Sequence, residues 1–375
     1  MTQRRLTVLQ LLPALNAGGV ERSALEIGTA LTAAWHRSVV VSAGGRQVER
    51  LTAQGSEHIA LDIGRKSPVT LRHVGSLRRL FEQLAPDIVH ARSRLPAWLA
   101  WRALRKMSAP KPPAPKPHFL TTVHGLNSPG WYSAILTRGE RVICVSNTVR
   151  DHVLAHYPRV EPSRLTVIPR GVDPADFPFG YAPDDAWRRD FAEHFPQLAG
   201  GLLLTLPGRG TRLKGHADAI ELLAGLVARG LDCRLLLLGA EEPGREAYLR
   251  ELRTLAQQRG VAERMAISPP RDDVREIYAV SNLVLQLSTK PEAFGRTVIE
   301  AIALCRPVLG YAHGGVGELL AELYPDGRVP PGDITRLVER AAELLRLAPP
   351  IAPLKRFRLA DMQAATLDLY AQIAQ

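Results

Sequence analysis

Short apolar runs alternate with stretches of helical spacing along the whole chain. In the first half, Leu6–Leu12 reads as a buried strand, and Val20–Leu31 as a helix opened by Gly18-Gly19. Arg37–Ser42, His58–Leu61, Pro86–His90, His118–His124 and Arg141–Val145 are further strands. Helical spacing recurs over Leu71–Leu84 and Leu95–Lys106. The second half repeats the pattern, with strands at Leu202–Leu206, Cys233–Leu238, Met265–Ser268, Leu283–Leu287 and Val308–Gly310. Strands alternating with helices of about ten to fifteen residues predict parallel sheets covered on both faces. A chain of 375 residues has room for two such domains. The expected fold class is therefore α/β, with two doubly wound, Rossmann-like domains.

The first domain is expected over 1–173 and the second over 201–352, with 174–200 as a polar linker after Val167–Pro174. The Pro-rich segment Ala109–Pro117 reads as an extended surface loop. No repeat of about 20–50 residues is visible.

Composition fits two globular cores: 46% of residues are hydrophobic and 23% charged. No run of about eighteen apolar residues occurs, so no spanning helix is expected. The N-terminus has basic residues before an apolar stretch, but Pro13 and Asn16 interrupt it and no small-residue cleavage site follows. It reads as the first strand. Cys144, Cys233 and Cys305 are three and far apart, which points to a reducing, cytoplasmic setting and away from structural zinc.

The net charge of +11 is unevenly spread. Residues 1–173 hold 24 Lys and Arg against 11 Asp and Glu, a net +13; residues 174–375 hold 24 against 26, a net −2. The basic excess of the first half suits an anionic membrane surface, a phosphorylated acceptor or nucleic acid, or is a solvated basic surface.

Ligands of parallel sheets collect at the carboxyl ends of the strands. Neither a G-x-G-x-x-G turn nor a G-x-x-x-x-G-K-[ST] loop is present, which disfavours a dinucleotide-dependent dehydrogenase and a P-loop ATPase. Three other features stand at such ends. Gly18-Gly19 follows the first strand, where glycine serves either a ligand phosphate or an ordinary tight turn. The run Pro207–His216 puts Arg209 and Lys214 after Leu202–Leu206, where they can neutralise a pyrophosphate or form a solvated basic loop. The run Pro291–Ala301 puts Glu292 in a turn and Phe294, Gly295, Arg296 and Thr297 in the first helical turn, whose free N–H groups favour an anion. Glu300 shares a helix face with Arg296 and Thr297 and can accept hydrogen bonds from ribose hydroxyls, or it is an exposed helix residue.

In order and spacing these runs resemble the retaining glycosyltransferases of the GT-B fold, family four, of the lipopolysaccharide-core and glycan-assembly type. The resemblance covers nearly the whole chain: Gly18-Gly19, His124-Gly125, Cys144–Asn147 with Arg150, Ile168–Asp173, Gly208-Arg209 with Lys214-Gly215, Glu292–Glu300 and Gly314–Glu318. It implies two Rossmann-like domains facing across a cleft, and a C-terminal helix in 353–375 packing back towards the first. It implies a hexosyltransferase that takes a nucleotide-sugar co-substrate, a UDP-sugar by default, with GDP-mannose and ADP-heptose behind it, and needs no cofactor and no metal. By position, Arg209 and Lys214 bind the donor diphosphate, joined by the amides of Phe294, Gly295, Arg296 and Thr297. Glu300 holds the ribose and Glu292 a donor-sugar hydroxyl. His124 touches the donor sugar, and Gly18 and Gly19 close over sugar and phosphate. Arg170 departs from the family, which usually has asparagine there, and Pro270 stands where glycine is frequent.

The implied partners are the nucleotide-sugar donor and a glycan or lipid-linked acceptor in lipopolysaccharide or other cell-surface polysaccharide assembly, with peripheral docking on the inner membrane face. Arg65, Lys66, Arg72, Arg78, Arg79, Arg92, Arg94, Arg102, Arg105 and Lys106 are the candidate membrane contacts. A non-hydrolysing nucleotide-sugar epimerase shares the two-domain plan and is the alternative enzyme. A basic nucleic-acid-binding or membrane-binding module is the alternative of another class. Nucleic acid is not expected, because only Trp98 and Trp101 approach the required mixture of aromatic and basic residues.

Overall fold

The computed structural model describes residues 4–16, 18–107, 116–347 and 349–375. The chain forms two compact units, one reaching Arg170 and regaining Leu359–Gln375, the other Gly171–Arg358. Most of the Pro-rich segment expected as a surface loop lies outside the described residues.

The first unit contains β1 (Thr7–Leu11), α1 (Gly19–Ala33), β2 (Arg37–Ser42), α2 (Val48–Ala53), β3 (Glu57–Ala60), α3 (His73–Leu84), β4 (Ile88–Ala91), α4 (Arg94–Lys106), β5 (His118–Val123), β6 (Arg141–Cys144), α5 (Asn147–His156) and β7 (Leu165–Val167). Its seven strands are ordered β3-β2-β1-β4-β5-β6-β7, and all of them pair in parallel. Strands buried on both faces need near-continuous apolar sequence, and Val8, Leu9, Leu11 and Val39–Val41 are fully buried. The C-terminal helix Leu359–Ile373 covers one face: Met362, Leu369 and Tyr370 join a core with Leu6, Val8, Ile27, Leu31, Ile88 and Leu120. Each such side chain contributes about 1.5–3 kcal/mol by leaving water.

The second unit holds α6 (Asp185–His194), β8 (Leu202–Pro207), α7 (His216–Ala228), β9 (Cys233–Leu238), α8 (Glu246–Gln258), β10 (Met265–Ile267), α9 (Val274–Val280), β11 (Leu283–Gln286), α10 (Arg296–Ala303), β12 (Val308–Tyr311), α11 (Gly314–Leu323), β13 (Arg328–Val329) and α12 (Ile334–Leu347). Its parallel sheet runs β10-β9-β8-β11-β12-β13. Strand order reverses between β1 and β4 in one sheet and between β8 and β11 in the other. Those reversals open a crevice at the carboxyl ends.

Strands β7 and β13 have three and two residues and escape periodicity. The stretch 174–200, expected as a linker, belongs to the second unit and carries α6. Its polar composition hides an aromatic ladder, since Trp187 stacks on Phe191 with centroids 5.0 Å apart and Phe191 meets Phe195 at 5.2 Å. Trp187 Nε1 also donates to Asp273 at 2.9 Å. The expected helix Leu71–Leu84 begins as a 3-10 turn at Pro68–Arg72 and turns α-helical at His73. Among the described residues no helix is long and apolar enough to cross a membrane, and no group of three His, Cys, Asp or Glu side chains could hold a metal ion.

Candidate functional site

In the second unit the loops after β8, β11 and β12 bring the charged residues together. Lys214 Nζ donates to Glu292 Oε1 at 2.5 Å, with both side chains about a quarter exposed. The same carboxylate accepts from the Ser288 hydroxyl and, at 3.3 Å, from Gln286 Nε2. Ser288 is itself fixed, because His313 Nε2 donates to its carbonyl at 2.7 Å. Glu292 is thus an oriented acceptor, and Lys214 a cation held next to it. Arg209 is exposed, and its side chain has no hydrogen bond or ion pair among the described residues.

Close backbone approaches explain several glycines. Gly208 has φ +151°, and a Cβ there would lie 3.0 Å from Lys214 Cδ, so the lysine stem crosses this glycine. Gly215 has φ +74°, and its Cβ would fall 2.0 Å from the Leu287 carbonyl oxygen. Helix α11 presses on the Glu292 loop: Gly315 N–H donates to the Glu292 carbonyl at 2.8 Å, and a Cβ on Gly315 would lie 2.5 Å from Phe294 Cα. The starts of α10 and α11 therefore flank Glu292, with their first N–H groups and dipoles at the same loop.

In the first unit a cavity of about 380 Å³ opens at the ends of β1, β4 and β5. Pro13, Lys66, Arg92, Arg94, His124 and Tyr132 are among its lining residues. Two guanidiniums are buried here, Arg92 (2% exposed) and Arg170 (7%), and both donate to the Ser23 hydroxyl, at 3.2 and 2.9 Å. Arg170 Nη2 lies 2.6 Å from His124 Nδ1. A guanidinium only donates, so the hydrogen-bond network assigns the lone pair to Nδ1 and the proton to Nε2. Between them on the sheet, His90 bridges Tyr370 and Thr122, each at 2.6 Å. Burial first, then Arg92 and Arg170, hold its pKa well below the ordinary value, so it stays neutral.

Residues 17–176 match the family described as Glycosyltransferase Family 4, and residues 193–356 match Glycosyl transferases group 1. A glycosyltransferase from Rickettsia africae superposes with a TM-score of 0.85 at 24% identity, covering 99% of both chains. The chain belongs to family four of the GT-B glycosyltransferases. An Anabaena protein crystallised with UDP and glucose, HepE, shares the fold at a TM-score of 0.81 and 18% identity, covering 97% of this chain and 99% of its own. A curated relative from Xylanimonas cellulosilytica, a D-inositol 3-phosphate glycosyltransferase, is 30% identical over 219 residues, which are 56% of this chain and 51% of its own length. The match thus spans about half of that relative.

In this glycosyltransferase the structure brings Lys214 and Glu292 into contact and puts Arg209 on the same β8–α7 loop as Lys214. It corrects the reading of Pro291–Ala301 in one respect. Helix α10 begins at Arg296, Gly295 is its N-cap with φ +108°, and Phe294 precedes the helix. The Phe294 side chain is buried at 7% exposure, its ring 6.2 Å from that of Phe357. A left-handed N-cap ends the preceding loop abruptly, and helical spacing alone does not reveal it. Thr297 lies in the first turn, Arg296 Nη1 donates to the Gly171 carbonyl at 3.3 Å, and Glu300 is 8% exposed. Gly18 caps α1 with φ +149°, and a Cβ on Gly19 would meet nothing within 4 Å.

A second correction concerns Arg92, proposed from sequence as a membrane contact. It is buried and bonded within the sheet edge, so it is no surface residue. Sequence reasoning missed Gln286, Ser288 and His313, which orient Glu292. The only hint was their position at the ends of β11 and β12. It also missed Trp131, which is 76% exposed and 5.6 Å from Trp98.

The stability of the segment that carries Lys214 is expected to depend on pH through His216. His216 opens α7 fully buried, with Nδ1 3.3 Å from the Tyr248 hydroxyl. Burial, opposed by backbone hydrogen bonding at Thr211 and reinforced by Lys214, lowers its pKa to about 4. The unfolded chain binds this proton near pH 6.5 and the folded chain does not. The stability contributed by neutral His216 is therefore complete above pH 6.5 and is lost as pH falls towards 4, by ~3 kcal/mol at most. Urea melts at pH 7.5 and 4.5 should show the drop, and His216→Gln should make it smaller. An unchanged drop in the variant would remove His216 as its source.

Proposed function

We propose that the protein transfers a hexose from a nucleoside-diphosphate sugar, a UDP-sugar in the first instance, to a glycan or lipid-linked acceptor. The Lys214–Glu292 pair between two helix N-termini carries this reading. Fixed cations and helix-end amides stabilise charge that develops on a leaving diphosphate, and an oriented carboxylate grips a sugar hydroxyl. Arg209 and Lys214 take the role a metal ion would otherwise fill, so EDTA is expected to leave turnover unchanged. In the proposed step the acceptor oxygen bonds to the anomeric carbon on the face the diphosphate leaves, the carbon–oxygen bond to phosphate breaks, and the acceptor proton passes to the departing phosphate. Configuration is thereby retained.

The names of the curated relatives support transfer to a hydroxyl group of a polar acceptor. They include a D-inositol 3-phosphate glycosyltransferase and an N-acetyl-alpha-D-glucosaminyl L-malate synthase from Bacillus anthracis, 30% identical over 135 residues. The proposed setting is cell-surface glycan assembly, lipopolysaccharide included. Docking on anionic lipid is supported by Arg102, Arg105 and Arg138 lying over the Trp98 and Trp101 rings at 4.7–5.7 Å, beside exposed Trp131.

Thermal shifts with UDP-, GDP- and ADP-sugars test the donor, since a ligand of the folded state raises stability by mass action. A UDP-sugar is expected to give the largest rise, and no response to any of the three would sink the reading. Donor incubated alone should keep its sugar configuration, because epimerisation without acceptor is the rival enzyme's signature. Sedimentation with phosphatidylglycerol vesicles at moderate salt tests the docking; no excess over neutral vesicles would reject it.

A further inference from the structure

Four non-glycine residues among those described have left-handed backbone: Trp35, Ala85, Cys305 and Phe357. Three of them end helices. Trp35 follows α1, Ala85 caps α3 and Cys305 follows α10, and a left-handed residue at such a place satisfies the last helical carbonyls. Phe357 has no such reason. Helix α12 ends at Leu347, and Phe357 lies in irregular chain with φ +62°. A bulky side chain at this φ is strained, and the strain persists only where the surroundings fix it. Here they do so through three contacts. The Phe357 carbonyl accepts from the Val172 N–H at 2.9 Å, beside a bridge between Val172 and Arg358. The Arg356 guanidinium lies over the Phe357 ring at 5.4 Å and donates to Glu322 of α11 at 2.6 Å. The ring itself faces that of Phe294, 6.2 Å away and tilted by 55°.

The strained residue bears on the start of α10. Phe294 immediately precedes the cap Gly295, and a Cβ on Gly295 would stand 2.8 Å from Val316 Cγ2 of α11. Two contacts therefore set the cap: α11 against Gly295, and Phe357 against its neighbour Phe294. On the other side of the cap, Arg296 donates to the Gly171 carbonyl at 3.3 Å, next to the residue that bonds Phe357. Both residues flanking the cap are thus tied to one pair of segments, 171–172 and 356–358. We propose that Phe357 is a positioning residue for glycosyl transfer: its strained backbone aims the ring at Phe294 and so fixes the N–H groups at the start of α10 for the donor diphosphate. The assignment rests on the transfer reading, which puts the diphosphate at that helix start. Phe357 acts through Phe294 and not on the substrate itself. A packing role alone would put the ring contact into stability, whereas a positioning role puts it into affinity for the diphosphate.

The test uses the full chain and calorimetric titration with UDP, GDP and ADP. Phe357→Gly removes the ring and the strain together, Phe357→Ala removes the ring alone, and Phe357→Leu keeps apolar bulk against Phe294. The nucleotide that the wild-type chain binds best is expected to lose about tenfold in affinity, the size of one charge-assisted hydrogen bond, in both Phe357→Gly and Phe357→Ala. Phe357→Leu should restore most of it. Melting temperatures should divide the variants differently, with Phe357→Gly above Phe357→Ala, because glycine adopts φ +62° without strain. Affinity that follows the ring and not the melting temperature is the signature of positioning. Nucleotide affinity equal to wild type in all three variants, with only the melting temperature changed, overturns the role of Phe357 and leaves the transfer reading intact. A wild-type chain that binds none of the three nucleotides overturns the transfer reading, and the positioning role falls with it. Hydrogen exchange of the wild-type chain decides the matter if the variants fail to fold. Saturating nucleotide is expected to slow exchange of the Val172 amide, whose acceptor is the Phe357 carbonyl. Unchanged exchange at that amide overturns the role.

Discussion

Lys214→Ala is expected to lower turnover by about 10²–10³-fold, the range for removing one fixed charge from a developing anion. The structure makes the effect asymmetric across the ion pair. Lys214 and Glu292 touch at 2.5 Å, so on the proposed reading removing the lysine takes a cation from the diphosphate and leaves a carboxylate beside it unneutralised. Glu292→Gln does the opposite and frees the lysine for phosphate. UDP affinity should therefore fall in Lys214→Ala and hold or rise in Glu292→Gln, while kcat falls in both. The double variant should lose less than the sum of the two, as coupled neighbours do. Lys214→Ala should lower the melting temperature more than Glu292→Gln does, because it leaves a carboxylate that is only about a quarter exposed without its cation. Equal UDP affinity across all three variants would mean that Lys214 does not face the diphosphate.

The fold was legible because a parallel sheet writes itself in apolar runs. Val8–Leu12 and Leu235–Leu238 are apolar or buried at nearly every position, and the helices between them keep one apolar face. Candidate ligands at strand ends followed from that topology. What stayed hidden depends on contacts distant in sequence. Arg92 and Lys66 sit in one list of basic residues, yet one is buried at a switch point and the other exposed on a rim. Charge counts treat them alike. Gly295 reads as one more helical residue until its φ of +108° makes it a cap. Ser288 and His313 act through hydrogen bonds that cross from one strand end to the next, and no local pattern encodes them.

The glycines around Glu292 give the other large expected effect. In Gly315→Ala the new Cβ would stand 2.5 Å from Phe294 Cα and 2.6 Å from the Ala293 and Phe294 carbonyl oxygens. All three are backbone atoms, so no side chain can turn aside and the Glu292 loop itself must shift. Overpacking of this kind costs about 1–3 kcal/mol. A displacement near 1 Å at a positioned group can cost about 10²-fold in rate. Gly215→Ala adds to a 2.0 Å clash with the Leu287 carbonyl the strain of φ +74°, and should destabilise more. Gly19→Ala is the internal control, because its Cβ would have nothing within 4 Å. Melting curves should rank the three as Gly215→Ala lowest, then Gly315→Ala, with Gly19→Ala near wild type. Donor turnover of whatever Gly315→Ala remains folded should fall far more than its stability does. If that variant keeps full turnover, contact between the start of α11 and the Glu292 loop does not position the carboxylate, and the proposed role of Gly315 in building the donor site is lost.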